Sequence, residues 1–135
     1  MSFLPIDSDD QKLIEAAWDV LRKNHHPERH SVGAAVLCPG GRVYKGVNVE
    51  ACGYGPCAEP IAIGAAISNG ERQFLAIVAV HMHGDDDYRV LSPCGNCRQL
   101  LLDYAPDAMV IFSDNGNVLK TAARNLLPGA YKSSF

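Results

Sequence analysis

Cys57-Ala58-Glu59 and Pro93-Cys94-Gly95-Asn96-Cys97-Arg98-Gln99 are the two pieces of sequence around which the rest of the chain is arranged. A Cys-x-x-Cys pair with one distant cysteine offers three thiolates, one fewer than the four protein ligands that close a structural zinc site. The fourth position then stays open to water, and a metal-activated water is a hydrolytic nucleophile. Cys57, Cys94 and Cys97 are therefore the expected ligands of one Zn2+ per subunit. Glu59, two residues beyond Cys57, is placed as the catalytic acid/base beside that water rather than as a ligand. A bare Cys-x-x-Cys is shared by redox and structural sites. Pro93 before the pair and the upstream Cys-x-Glu narrow the reading to a catalytic metal site.

Both pieces open helices. From Cys57 to about Ser68 the chain is rich in Ala and Ile and is stopped by Asn69-Gly70. It is apolar nearly all round, which predicts a buried helix. Pro60 fits its first turn, where backbone N–H groups lack intrahelical partners. Cys94 to Tyr104 reads as a second such helix, with Leu100, Leu101 and Leu102 on its apolar side. Two helix N-termini thus converge on one metal, and their free N–H groups favour thiolates. Three thiolates on a divalent ion leave a formal charge near −1, which weakens its Lewis acidity. Arg98, directly after Cys97, is expected to donate hydrogen bonds toward the sulfurs or to help fix the cluster.

The remaining elements follow from periodicity and turn signals. Ser8 to about Lys23 is an amphipathic helix with Leu13, Ile14, Ala17, Val20 and Leu21 on one face and Ser8 or Asp9 as its cap. Trp18 beside that stripe suits core or subunit packing. Val32–Leu37 and Arg42–Val49 form a hairpin across Pro39-Gly40-Gly41. Phe74–His83 is a third strand, Ala108–Phe112 a fourth and Val118–Lys120 a fifth, with a short helix over Thr121–Leu126. Val90-Leu91-Ser92 leads into Pro93. Asn48 and Glu50 share one face at a strand end, where they either hold a pair of hydroxyls or meet solvent. His25, His26 and His30 lie in a loop broken by Pro27, and the cysteines already supply a ligand set without them. His81 and His83 read as an exposed strand end, and Cys38 and Cys52 lack ligand spacing.

Bulk properties set the outer bounds. The chain has 135 residues, 47% hydrophobic and 20% charged, consistent with one globular domain, residues 1–135. A net charge of −3 argues against a nucleic-acid polymer as partner, because phosphates need a basic stripe. No apolar run approaches the roughly 18 residues of a membrane span. The N-terminal residues lack a signal-peptide pattern, and five cysteines with three at metal spacing suit a reducing, cytoplasmic compartment.

Read together, these pieces resemble the cytidine deaminase family. The resemblance rests on Val32-Gly33-Ala34-Ala35, Gly46-Val47-Asn48-Val49-Glu50, Cys57-Ala58-Glu59, Ser92-Pro93-Cys94-Gly95-Asn96-Cys97-Arg98-Gln99 and Leu126-Leu127-Pro128-Gly129-Ala130. It implies a single-domain, three-layer α-β-α fold of the α/β class, with a mixed five-stranded sheet. It also implies zinc on the three cysteines, Glu59 as proton shuttle, and hydrolytic deamination of a cytosine nucleoside at C4. Asn48 and Glu50 match the pair that holds ribose, and Ala58 the residue whose backbone contacts the base. A homotetramer whose active sites borrow residues from neighbours is implied as well.

The match has departures. Pro60 stands where an Arg usually follows Cys-Ala-Glu and neutralises the thiolates. His30 takes the place of an aromatic residue that packs on the base. The loop from Asn48 to Cys57 is short and carries Tyr54 near the expected substrate. Gly55-Pro56-Cys57-Ala58-Glu59, Leu91-Ser92-Pro93-Cys94 and Leu100-Leu101-Leu102-Asp103 are similar to blasticidin S deaminases. The expectation is therefore a deaminase of cytidine or deoxycytidine. A modified cytosine nucleoside such as blasticidin S is the second substrate reading, and a non-catalytic zinc-stabilised module the third. Tyr131 and Phe135 pack over a substrate or over a subunit.

Overall fold

The computed structural model describes residues 3–132. Its central element is β4 (Ala76–Met82), a seven-residue strand whose first five residues are all buried. One edge of β4 pairs antiparallel with β2 (Val32–Leu37), which continues through a hairpin into β3 (Val43–Val47). The other edge is shared. Its first part pairs parallel with β6 (Met109–Asp114), through Ala76 and Ile77. Its outer part pairs antiparallel with β5 (Tyr88–Leu91), from Ala79 to Met82. β6 then pairs with β7 (Asn117–Ala122), and β7 with β1 (Leu4–Pro5).

The sheet is mixed, as expected, but has seven strands rather than five. Both additions are short. β5 occupies the stretch of β4 that β6 does not reach, so backbone pairing rather than an apolar run defines it. β1 is two exposed residues, one of them Pro5, and carries no alternation to read. The expected helix over Thr121–Leu126 is also corrected. Thr121 and Ala122 complete β7, paired with Val110 and Met109, and only a 3-10 turn over Ala123–Leu126 remains.

Helices cover both faces. α1 (Ser8–Asn24) lies on one, packing Leu13, Ile14, Ala17 and Leu21 against Ala35, Val78, Val80 and Ile111. α2 (Ala58–Ser68) and α3 (Gly95–Tyr104) lie on the other, against Ala34, Val36, Ile77, Ala79 and Val110. Successive strand residues therefore feed opposite layers, which is why these strands read as apolar throughout. The cap of α1 is Asp7, not Ser8 or Asp9. Asp10 N donates to Asp7 Oδ1 at 2.9 Å, and Asp7 N to Asp10 Oδ2 at 2.9 Å, a reciprocal capping box. Lys120 Nζ reaches Asp10 Oδ2 at 2.6 Å and ties the start of α1 to β7. Trp18 is half-buried and packs on Tyr88, ring centroids 5.1 Å apart.

Glycine lets two helices approach the sheet closely. A Cβ on Gly33 would lie 2.5 Å from Ala17 O, under α1. One on Gly46 would lie 2.7 Å from Ile61 Cγ2 and 2.8 Å from Ala62 N, under α2. α2 is not buried all round, however. Ala58, Glu59, Ala62, Ile63 and Ala66 are buried, while Pro60, Ile61, Ala65 and Ile67 are only half-buried and Gly64 is exposed. No helix among the described residues is long and apolar enough to cross a membrane.

Candidate metal centre and active site

The two sequence pieces meet at the start of α2 and α3. Cys57 is the N-cap of α2 and Cys94 the N-cap of α3, both extended, at φ −66°, ψ 170° and φ −71°, ψ 172°. Cys97 lies in the first turn of α3 and Glu59 in the first turn of α2. The three sulfurs lie within 4.8 Å of one another, and Cys57 Sγ is 3.7 Å from Cys94 Sγ. Tetrahedral zinc with Zn–S bonds of about 2.3 Å places its sulfurs roughly 3.8 Å apart. Among the described residues this is the group of three metal-ligating side chains, and no histidine joins it.

The electrostatics of the donor set fit a cation. Burial pushes the Cys97 thiol far up, reinforced by the charges of Glu59 and Cys57. Burial also raises Cys57, with a hydrogen bond to Cys94 adding to it. Cys94 behaves differently. Burial opposes its ionisation, yet the backbone N–H groups of Cys97 and Asn96 and the neighbouring thiols outweigh that and hold it below its ordinary value. No full capping hydrogen bond reaches its sulfur, so the effect comes from N–H groups directed at it. Without a metal, this pocket disfavours three thiolates together; a bound divalent cation reverses that.

Glu59 is 5% exposed, and burial raises its carboxyl above the usual glutamate value. Its own backbone N–H and the Cys97 thiol hydrogen-bond to it and partly offset the shift. It shares a small internal space with Ala79, Leu91 and Pro93. Ala58, the first residue of α2, is fully buried.

Arg98 is half-buried, and its hydrogen bonds go to carbonyls rather than to sulfur. Nε donates to Pro93 O at 2.7 Å and Nη1 to Leu126 O at 3.0 Å. It clamps the residue before Cys94 onto the Ala123–Leu126 turn.

Asn48 is 5% exposed and already bonded within the chain. Its Oδ1 accepts from Ser31 N at 2.8 Å and Val32 N at 2.9 Å, and its Nδ2 donates to Glu50 Oε1 at 3.1 Å. Glu50 itself is exposed. His30 is half-buried, its Nδ1 bonded to Asn48 O at 2.8 Å, which fixes the ring. The structure thus brings His30, Asn48 and Glu50 into one network. Two members had no sequence signal of their own. Arg29 Nη1 donates to Glu50 O at 3.1 Å, and Gly55 leaves room for the Glu50 carboxylate, which a Cβ there would meet at 2.6 Å.

Tyr54 is 73% exposed and lines a cleft of about 400 Å3 with Pro56, Cys57, Pro60, Cys97 and Leu100. The cleft opens onto the sulfur cluster from outside. Tyr131 is exposed, and its carbonyl accepts from Gln99 Nε2 at 3.1 Å; Phe135 lies outside the described residues. His83 is exposed and His81 half-buried.

Comparison with known proteins agrees with this geometry. Residues 7–113 match the family model described as the cytidine and deoxycytidylate deaminase zinc-binding region. The chain is 40% identical to blasticidin-S deaminase of Bacillus cereus, over 97% of this chain and 98% of that protein. It is 36% identical to cytidine deaminase of Halalkalibacterium halodurans, over 91% and 94% of the two chains. The crystal structure of cytidine deaminase from Mycobacterium tuberculosis superposes with a TM-score of 0.75 at 34% identity, covering 94% of this chain and 100% of that one. The chain belongs to the cytidine and deoxycytidylate deaminase zinc-binding family, hydrolases that act on C–N bonds.

Proposed function

We propose that this protein hydrolytically deaminates a free cytosine nucleoside, cytidine or deoxycytidine, to the uracil nucleoside and ammonia. The observation that carries the reading is a buried carboxyl, Glu59, beside three sulfurs at zinc spacing with no fourth protein ligand among the described residues. One zinc per subunit on Cys57, Cys94 and Cys97 would supply a water acidic enough to act as a nucleophile near neutral pH. Glu59 takes up the proton that this water releases and delivers it to ring N3. Once the water oxygen has added to C4, the same carboxylate would take the remaining proton from the C4 hydroxyl and pass it to the amino nitrogen, so that C4=O forms as the C4–N bond breaks and ammonia leaves. Burial suits the carboxyl to both roles, because a raised pKa makes it a better proton carrier near neutrality.

Glu50, held by Asn48 and Arg29, is assigned to the sugar hydroxyls, with Asn48 positioning it. His30 flanks the base, Ala58 contacts it through the backbone, and Tyr54 closes the outer cleft. Arg98 fixes the loop that carries Cys94. The reading includes a single-domain chain, a homotetramer whose active sites borrow residues from neighbours, and a cytoplasmic setting. A blasticidin S substrate is favoured by one specific observation, the 40% identity to the Bacillus cereus enzyme along nearly the whole chain.

The test follows ultraviolet absorbance with cytidine, deoxycytidine, cytosine and blasticidin S, for the wild type and Glu59→Gln. Turnover of cytidine or deoxycytidine by the wild type and its loss in the variant are expected. Activity on blasticidin S alone overturns the first substrate assignment, and activity on none of them overturns the deaminase reading.

A further inference from the structure

Asn115-Gly116 turns β6 into β7, and no step of the cytosine chemistry uses it. The pair is the whole connection of a tight hairpin, between the paired residues Asp114 and Asn117. Asn115 has φ 50° and Gly116 φ 84°, the left-handed backbone that such a turn demands and that Asn-Gly supplies at least cost. Asparagine is also chemically labile, and most so before glycine. A glycine nitrogen has no neighbouring side chain to shield it, so it can attack the preceding side-chain amide.

Asn69 and Asn115 are the asparagines followed by glycine; the others precede His25, Val49, Cys97, Val118 and Leu126, whose side chains crowd the attacking nitrogen. Both Asn-Gly pairs are exposed, so access to water does not distinguish them. Bonding does. At the end of α2, Asn69 Nδ2 donates to Ala65 O at 2.8 Å, and Gly70 N donates to Ile67 O at 3.0 Å. The amide and the nitrogen that would attack it are both engaged there. In the hairpin, among the described residues, neither the Asn115 amide nor Gly116 N makes a hydrogen bond. A Cβ on Gly116 would meet nothing within 4 Å, so the space around the turn is open to the rotation that cyclisation needs.

The hairpin is also tied to the cysteine loop. Ser113 pairs with Val118, one step in from Asp114 and Asn117. Ser113 O accepts from Ser92 Oγ at 2.7 Å, and Ser92 directly precedes Pro93 and Cys94. One hydrogen bond thus joins the end of the hairpin to the loop that carries Cys94.

We propose that Asn115 is a site of spontaneous deamidation, and that isoaspartate formed there loosens the Ser92–Cys94 loop. Gly116 N gives up its proton and attacks Asn115 Cγ. A Cγ–N bond forms, the Cγ–Nδ2 bond breaks, and Nδ2 leaves as ammonia with that proton. Solvent water then opens the five-membered ring. Attack at Cγ restores the ordinary chain as aspartate. Attack at the α-carbonyl carbon leaves isoaspartate, whose main chain runs through Cβ and Cγ and is one atom longer. A turn lengthened in this way no longer matches the two-residue geometry that sets Asp114 opposite Asn117. The strand ends then fray toward Ser113, the anchor of Ser92.

The experiment ages the full chain at physiological temperature in mildly alkaline buffer. Proteolysis and mass spectrometry map the amide-to-acid conversions, with fragmentation that separates isoaspartate from aspartate. Conversion at Asn115 is expected at least about tenfold faster than at Asn69, whose two hydrogen bonds must break first. Asn115→Gln should abolish it. The isoaspartate fraction, isolated by anion exchange, should show faster amide hydrogen exchange at Val118 and Cys94. Asn115→Asp carries the new charge without the longer chain and should exchange as the wild type does. In Ser92→Ala the Cys94 amide should no longer respond to the modification. Conversion at Asn69 as fast as at Asn115, or none at Asn115, overturns the site. Unchanged exchange at Cys94 in the isoaspartate fraction, or equally fast exchange in Asn115→Asp, overturns the link to the loop. None of these readouts depends on which substrate the protein turns over.

Discussion

Replacing Asn48 by Ala tests whether a buried amide organises the sugar end of the site. The substitution removes the acceptor of the Ser31 and Val32 N–H groups and the donor to Glu50 Oε1. Asn48 is 5% exposed, so the orphaned N–H groups regain water poorly. A buried unsatisfied donor costs about 1–3 kcal/mol. Two of them, relieved in part by a water entering the vacated volume, give an expected destabilisation of about 2–5 kcal/mol. That is a large share of the roughly 5–15 kcal/mol that holds a domain together. Urea denaturation at fixed protein concentration reads it. Asn48→Asp separates the contributions, because a carboxylate still accepts from both N–H groups but repels Glu50 instead of holding it. Its stability should lie closer to wild type, while KM for the nucleoside rises in both variants. An Asn48→Ala protein within about 1 kcal/mol of wild type would refute the reasoning. So would an Asn48→Asp protein destabilised as much as Asn48→Ala near neutral pH.

Three further outcomes are expected. Gly46→Ala forces a Cβ to within 2.8 Å of backbone at Ala62 and should cost about 1–3 kcal/mol in a denaturation series. Gly64→Ala, on the open side of α2 with nothing within 4 Å, should stabilise by about 0.5–1 kcal/mol. Prolonged chelation should release about one zinc per chain and lower the melting temperature, both reversed by added zinc; a melting temperature indifferent to chelation contradicts a metal on the three sulfurs. Glu71 gives a pH dependence with a definite sign. Arg42, then Tyr44, hydrogen-bond to its carboxylate and hold it below its ordinary 4.5. The unfolded chain therefore binds the proton more readily. Glu71 contributes stability that is present above pH 4.5 and is lost as pH falls through the lower, folded-state value. The stability difference between wild type and Glu71→Gln should shrink on acidification over that range, and a constant difference contradicts it.

How much of this was legible in the sequence depended on whether a feature is local. β2 was readable to its ends, Val32–Leu37, because apolar residues run between a polar loop and Cys38-Pro39-Gly40. The positions of Cys57 and Cys94 at helix starts were readable because Pro60, Pro93 and the helical pattern beyond mark the boundaries. β5 was not readable, since what makes it a strand is the vacant outer edge of β4, a property of β6's length. The start of α1 at Ser8 was readable but its cap was not, because a reciprocal bond between Asp7 and Asp10 makes Asp7 the cap rather than Ser8 or Asp9. In the site, ligand identity was written in spacing, whereas the direction of each polar side chain was not. Asn48 turns inward onto β2 and leaves Glu50 outward, although alternation gives the two residues the same face.

That division bears on how a three-thiolate centre stays electrophilic with Pro60 where an arginine is usual. The sulfurs are not equivalent. The first turn of α3 directs the N–H groups of Asn96 and Cys97 at Cys94, while burial dominates Cys57 and Cys97. Arg98 does not make up the difference through hydrogen bonds, which it spends on Pro93 O and Leu126 O. Its charge is nevertheless carried by the residue directly after Cys97 and bonded to the carbonyl directly before Cys94, and no carboxylate lies within ion-pair distance of it among the described residues. A half-buried cation without a counter-ion is screened less than a surface one, so it would act on the thiolates through its field rather than through contact. The carbonyl bonds hold it there. Replacement by a neutral residue of similar shape should then loosen the loop and raise the negative potential at the metal together. Replacement by lysine should preserve the charge but lose the two-carbonyl clamp, so zinc retention and turnover should separate in Arg98→Lys and fall together in Arg98→Gln.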